Sequence, residues 1–470
     1  MTELYKLTAT EAVTLLKKGE VSPLEMVEAS IARIEATDGK LNAVVTRCYD
    51  RARDHAKRLM QEKRDDRPAK FLYGLPIGVK DNLDVRGVRT TSGSRIYADR
   101  VAEKNDLTID RLERYGAIVM GKTNMPEFAA GGNSFNDIFG ATRNPWDIRT
   151  TPGGSSGGSA AALAAGMVWL ATGGDFGGSI RQPSSFSSVT GLRPSPGMVP
   201  KIQKQPFNAL SVEGPMARNV ADVALMFDAQ AGFHPQDPLS QVGPHPSFAA
   251  AAAGAIKPQR IAFSSDLGIA PAMDDEVRAI CRATAERMAK DGIAVDEKHP
   301  DMSEAGETFL KLRGAVYIAR HSGWLEQYRN VLKPEIVKNT EYGLGLELTD
   351  VVAAEVKQGD IARRLASFLE QYDALVCASV LCPPFDVEQR YPAELNGVPF
   401  EGYMGWLVLT YAVTVTACPV MALPCGFTKA GLPVGIQVIG KPRGEAALFS
   451  ISSYLEQLFG VARMTPIDPR

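Results

Sequence analysis

The chain has 470 residues, 45% of them apolar, and 52 Lys and Arg against 54 Asp and Glu, a formal charge of −2. That length can bury a large core, and the near balance of charge excludes a polybasic nucleic-acid or membrane-surface protein. No run reaches the ~18 apolar residues of a membrane span, and residues 1–13 break their apolar character with Glu3, Lys6 and Glu11, so a cytoplasmic protein is expected. Six cysteines (Cys48, Cys281, Cys377, Cys382, Cys418 and Cys425) show no C-x-x-C spacing, which predicts neither a disulfide nor a zinc site.

In chain order, residues 7–18 and 23–36 read as helices, the second with Ser22 as N-cap and Pro23 in its first turn. Short apolar runs then alternate with helical stretches. The runs are 43–45, 72–79, 117–120, 168–171, 260–263, 374–378, 420–423 and 435–439. This alternation predicts an α/β protein: one large domain with a mixed, twisted sheet covered by helices on both faces. The Pro-, Gly- and Ala-rich tract 232–257 is read as a surface excursion rather than a linker.

Two glycine clusters stand out, Gly153-Gly154-Ser155-Ser156-Gly157-Gly158 and Phe176-Gly177-Gly178-Ser179, joined by a small-residue segment, 159–172, that reads as a buried helix. Glycine loses the most backbone freedom on ordering, so clusters this dense imply backbone held for a purpose. Exposed N–H groups beside a serine suit nucleophilic attack on a carbonyl, with the oxyanion held by the same loop. A serine nucleophile needs a base. Of the five histidines, His55 lies in a charged helix, His234 and His245 lie in the 232–257 tract, and neither His299 nor His321 lies in a stretch that reads as buried. Lys80, closing the apolar run 72–79, is the alternative, since desolvation at the end of a buried strand can neutralise a lysine.

Two other patterns compete. Residues 116–123 match a phosphate-binding Gly-x4-Gly-Lys-Thr loop, but residues 117–120 are themselves β-prone, where such a loop should follow a strand and open a helix. Residues 153–157 match the Gly-x-Ser-x-Gly elbow of α/β-hydrolases, but they follow loop-like residues, and no downstream histidine has a convincing setting.

Gly-Leu-Pro-Ile-Gly-Val-Lys80-Asp, Pro-Gly-Gly-Ser155-Ser-Gly-Gly-Ser and Gly-Gly-Ser179-Ile-Arg-Gln-Pro together resemble the amidase signature family. The resemblance extends through 121–128, 143–147, 214–218 and 424–437, nearly the whole chain. It implies the amidase signature fold over 1–470: a helical part about 1–65, a signature core about 66–230, and a remainder, 231–470, completing sheet and pocket. It further implies a catalytic triad of Lys80, Ser155 and Ser179, Ser155 following a cis peptide bond and Ser179 attacking. The oxyanion hole would be formed by Phe176, Gly177, Gly178 and Ser179, with Asp175 and Arg181 supporting the loop. No metal or cofactor is implied.

Where the family usually has Gly-Thr-Asp-Thr-Gly-Gly-Ser, this chain has Gly174 and Phe176 in place of the threonines. Substrate contacts are expected from Gly131, Gly132 and Asn133. Tyr403 and Trp406, in the apolar run Tyr403, Met404, Trp406, Leu407, Leu409 and Tyr411, predict with Phe176 an apolar pocket that disfavours small charged amides such as glutamine. The competing reading of that run is a core helix. The leading expectation is a free-standing hydrolase of small amides, carbamates or esters, with homodimerisation left open. The alternatives are the glutamine-hydrolysing subunit of a tRNA-dependent amidotransferase, which the lack of an acid in 402–417 disfavours, and a non-catalytic binding protein.

Overall fold

Eleven strands form one mixed sheet: β1 (Val44–Arg47), β2 (Pro76–Lys80), β3 (Ile118–Thr123), β4 (Leu170–Asp175), β5 (Thr190–Arg193), β6 (Val212–Ala217), β7 (Arg260–Phe263), β8 (Ala294–Glu297), β9 (Ala374–Ala378), β10 (Val420–Phe427) and β11 (Pro433–Ile439). The structure, a computed structural model, describes residues 3–62, 67–68, 70–242 and 247–470. Strand order is β1-β3-β2-β4-β6-β5-β10-β11-β9-β7-β8. β2 runs parallel to β3 and β4, the centre from β4 to β9 is antiparallel, and β9, β7 and β8 are parallel.

Helices cover both faces because both faces are apolar. Successive residues of a strand point to opposite sides. Ile118 and Met120 of β3 accordingly join one apolar cluster, and Val119 joins the other. The first cluster takes in Val27 and Ile34 of a long helix and Ala160 to Ala165; the second takes in Leu75 and Ile77.

The amino-terminal helices start at their polar caps. α1 (Ala9–Lys18) begins two residues later than the apolar pattern suggests, because Thr8 and Glu11 close a reciprocal capping box in front of it. α2 (Pro23–Leu41) has the expected Ser22 cap and Pro23, and it continues beyond Ala36 until Asn42 takes up a left-handed conformation.

The expected helix over 159–172 is cut short. α3 (Gly157–Ala164) ends where Gly166 adopts φ +75°, its N–H bonding Leu163 O while Met167 N–H bonds Ala162 O. That pairing is a Schellman stop, and it returns the chain into β4, which runs beside β2 with Leu170 opposite Ile77. The 232–257 tract is not all surface loop either. Phe248–Ala253 is a helix whose Phe248 ring packs on Phe227 (4.6 Å) and Phe449 (5.6 Å). His245 lies outside the described residues. No described helix is long and apolar enough to cross a membrane. All six thiols are free, five of them buried.

Candidate active site

Lys80 is the last residue of β2, and its backbone N–H donates to Thr172 Oγ1 of neighbouring β4 (2.9 Å), so strand pairing fixes where its side chain starts. The side chain is 1% exposed. Its Nζ hydrogen-bonds Ser155 Oγ at 2.8 Å and Ser156 Oγ at 2.9 Å, and it lies 3.5 Å from the carbonyl of Gly174. Burial pushes the Lys80 amine down to about 8, against the opposing pull of the Glu213 and Asp175 carboxylates. Ser155 follows a cis peptide bond from Gly154, whose N–H is held by Gln182 Oε1 at 2.8 Å.

The second cluster is built on Asp175, the end of β4. Its carboxylate accepts from the N–H groups of Gly178 (3.0 Å) and Ile180 (3.1 Å) and meets Arg181 at 2.9 Å and Arg193 at 3.5 Å, all three side chains being buried. Although burial alone would raise the Asp175 carboxyl, the two guanidiniums and the Ile180 N–H hold it well below the usual carboxylate range. The result is a turn bonded to Asp175 that ends in Ser179, after which α4 (Arg181–Ser187) begins. Gly178 has φ +117°, and a Cβ there would collide with Thr410, so only glycine fits this turn. One expected oxyanion donor is thereby corrected, because the Gly178 N–H is spent on Asp175. The N–H groups of Phe176, Gly177 and Ser179 make no hydrogen bond among the described residues. Ser179 is partly exposed, and its hydroxyl likewise makes none. It lines a cavity of about 300 Å³ together with Lys80 and Ser155.

The competing phosphate-loop motif resolves in the geometry. Lys122 lies inside β3, fully buried, with its Nζ bonded to Leu83 O (2.7 Å) and Thr90 Oγ1 (2.9 Å) and paired to Asp81 at 3.3 Å. It forms no phosphate loop.

The expected apolar wall is only partly present. Gly131 and Tyr403 line a second, smaller cavity at Ser179, beside Met404 and Leu407. Trp406 does not line either cavity. It is 1% exposed, packs against Phe385 and Phe186, and presses on the face of Gly132 that a Cβ would occupy. Asn133 is also structural in placement, since its buried amide donates to the carbonyls of Val387 and Gln389 and accepts from Thr151. A buried amide must satisfy both ends, and these partners satisfy them within the fold. The larger cavity is instead charged, with Lys201, Lys204, Arg320, Glu213 and Asp106 in its wall. Lys201 and Lys204 come from the loop before β6, Glu213 from β6, Asp106 from a helix N-cap and Arg320 from the helix Ala305–His321.

Two further cavity residues were not legible as functional. His321, at the end of α5 (Ala305–His321), is buried against Phe128 and Trp324, and burial pushes its imidazole down to about 3, with Arg320 and Lys204 adding to the shift. It is neutral at physiological pH. Glu213 of β6 sits beside Gly174, where a Cβ would stand 2.8 Å from Glu213 Oε2. That oxygen has no hydrogen-bond partner, and Oε1 lies 3.5 Å from Lys201 Nζ. Gly174, where the family usually has threonine, is the gap that admits this carboxylate.

The sequence matches the Amidase family over residues 25–449. The chain belongs to this family. As a family member it is similar to a glutamyl-tRNA(Gln) amidotransferase subunit of Moorella thermoacetica, 35% identical with 99% of each chain covered. It is also similar to the acylamidase of Rhodococcus erythropolis, 33% identical over 100% of this chain and 99% of the relative. Among solved structures, a bacterial aryl acylamidase of the amidase signature enzymes superposes with a TM-score of 0.89 at 26% identity, covering 98% and 99% of the two chains. The amidase fold is thus shared from end to end, and the chain is an amidase-signature hydrolase of amide bonds.

Proposed function

We propose that the protein is a free-standing amidase in which Ser179 attacks the carbonyl, Ser155 relays the proton and neutral Lys80 receives it. The observation that carries this is a buried lysine with its Nζ 2.8 Å from Ser155 Oγ, in the wall of a cavity that also exposes Ser179. Burial brings the Lys80 amine down to about 8, so that a fraction of it is neutral near pH 7 and can accept a proton. Ser155 passes that proton from the Ser179 hydroxyl, and the Ser179 oxygen adds to the carbonyl carbon. The free N–H groups of Gly177 and Ser179, with Phe176, face the developing oxyanion, and removing one such donor typically costs about 3 to 4 kcal/mol of barrier. Collapse expels the amine, which takes the relayed proton and leaves an acyl-Ser179 ester. Water then repeats the sequence. Esters and carbamates fit the same chemistry.

A second reading, the glutamine-hydrolysing subunit of an amidotransferase, is supported by the similarity to the Moorella thermoacetica protein along the full length of both chains. Turnover by the isolated chain separates the two. Wild type should be labelled by a fluorophosphonate at Ser179 and should hydrolyse simple amides without a partner, whereas Ser179→Ala should do neither while keeping its melting temperature within a few degrees. Labelling retained in Ser179→Ala would refute the nucleophile assignment, and hydrolysis confined to glutamine would favour the amidotransferase reading.

A further inference from the structure

The smaller cavity at Ser179 has a volume of about 30 Å³, enough for one or two waters or a single carboxylate-sized group. Gly177, Gly178 and Ser179 form one part of its wall, and Arg313 of α5 forms another with Tyr317 and Tyr403. Arg313 is only 4% exposed. Its guanidinium donates to Asn339 Oδ1, to the Tyr317 hydroxyl at 2.6 Å and to the Tyr403 hydroxyl, all neutral acceptors. It also stacks on the Tyr317 ring, 4.1 Å from the centroid.

Among the described residues no carboxylate lies within ion-pair distance of Arg313. Glu335, on a neighbouring helix, is committed to Arg390 through a bidentate pair. Arg181 and Arg193, equally buried, both face Asp175. Unlike Lys80, an arginine cannot relieve its burial by giving up a proton. A cation–π contact offsets only part of what desolvating an ion costs. The site therefore lacks a counter-ion. The Tyr317 and Tyr403 hydroxyls, which both accept from Arg313, also bond to each other, so the pair keeps one proton to donate, and burial holds the Tyr403 hydroxyl protonated far above neutral pH. Arg313 and the tyrosine pair thus line a space the size of a carboxylate next to the nucleophile. In the larger cavity Lys201, Lys204 and Arg320 stand against Glu213, Asp106 and Asp175, and Asp175 is already paired with Arg181 and Arg193.

We propose that Arg313, with Tyr317 and Tyr403, binds a carboxylate on the amide substrate a few bonds from the scissile carbonyl, so that the preferred substrates are anionic amides. This rests on Ser179 being the nucleophile and names the substrate class for that site. The carboxylate can belong to the acyl part, as in a dicarboxylic acid monoamide, or to the amine, as in an N-acyl amino acid.

Two matched pairs test this with the full-length enzyme: glutaramate against glutaramide, and N-acetylglycine against N-acetylglycinamide. Wild type should prefer the anionic member of one pair at least tenfold in kcat/KM, and the pair that responds shows which side carries the charge. In Arg313→Met that ratio should collapse toward one, with a partial loss in Tyr403→Phe. A purely structural role for Arg313 would depress both members of a pair equally and leave the ratio unchanged, which would overturn the proposal, as would the absence of a preference in either pair. Calorimetric titration with glutarate needs no turnover. Binding should weaken at least tenfold in Arg313→Met, and undiminished binding would refute the site even in a protein that Ser179 labelling had shown not to be a hydrolase.

Discussion

Replacing Lys80 by methionine separates the catalytic from the energetic consequences of burying a base. The amine ordinarily titrates at 10.5 and is pushed down to about 8 in the folded protein, chiefly by desolvation. Between those values the unfolded chain binds a proton that the folded chain does not, so stability rises with pH across that window. Below pH 8 the folded protein carries the full cost of holding this lysine. From pH 7 to pH 10 the cost falls by about 2 to 3 kcal/mol, taking about 1.4 kcal/mol for each pH unit. Lys80→Met has no such term. The lost hydrogen bonds to Ser155 and Ser156 shift the variant's stability by an amount that does not depend on pH, and other titrating groups cancel in the comparison. Urea unfolding of both proteins at pH 7, 8, 9 and 10 should therefore show wild type gaining about 2 to 3 kcal/mol on the variant over the series. Over the same range wild-type kcat/KM should rise about tenfold per pH unit up to a plateau near pH 8, while the variant is inactive. A stability difference that stays constant with pH, together with a flat rate from pH 6 to 9, would mean that Lys80 is not the base.

Other substitutions probe the groups around it. Glu213→Gln removes a carboxylate that favours protonated Lys80 and that offsets Lys201, so the acid limb of the kcat/KM profile should move below pH 8; a shift to higher pH would refute the coupling. Gly174→Thr places a Cβ 2.8 Å from Glu213 Oε2 and should cost activity that Glu213→Ala partly restores, as a double-mutant cycle would reveal. Asp175→Asn leaves Arg181 and Arg193 buried without a full counter-charge and should destabilise by about 3 to 5 kcal/mol in denaturant unfolding, with loss of fluorophosphonate labelling as the Ser179 loop relaxes.

The glycine-framed serines and the lysine closing an apolar run were legible in the chain itself, because each depends on local needs: a turn only glycine permits, a strand end, a buried helix of small residues. Family and fold followed from the same motifs. The short strands Thr190–Arg193, Val212–Ala217 and Ala294–Glu297 were not legible. Their Gly, Pro and charged residues hide the apolar signal, and sheet partners far away in sequence supply what local preference lacks. The substrate side depended most on tertiary structure. Trp406 reads as a pocket residue, yet the closeness of Gly132 draws it into the core. Glu213, Arg313 and Arg320 carry no motif that marks them, yet β6 and α5 deliver them to the cavities at Ser179. A charged side chain carries no local sign of whether water or a buried nucleophile will face it. That is settled only when elements more than a hundred residues apart close around the same space.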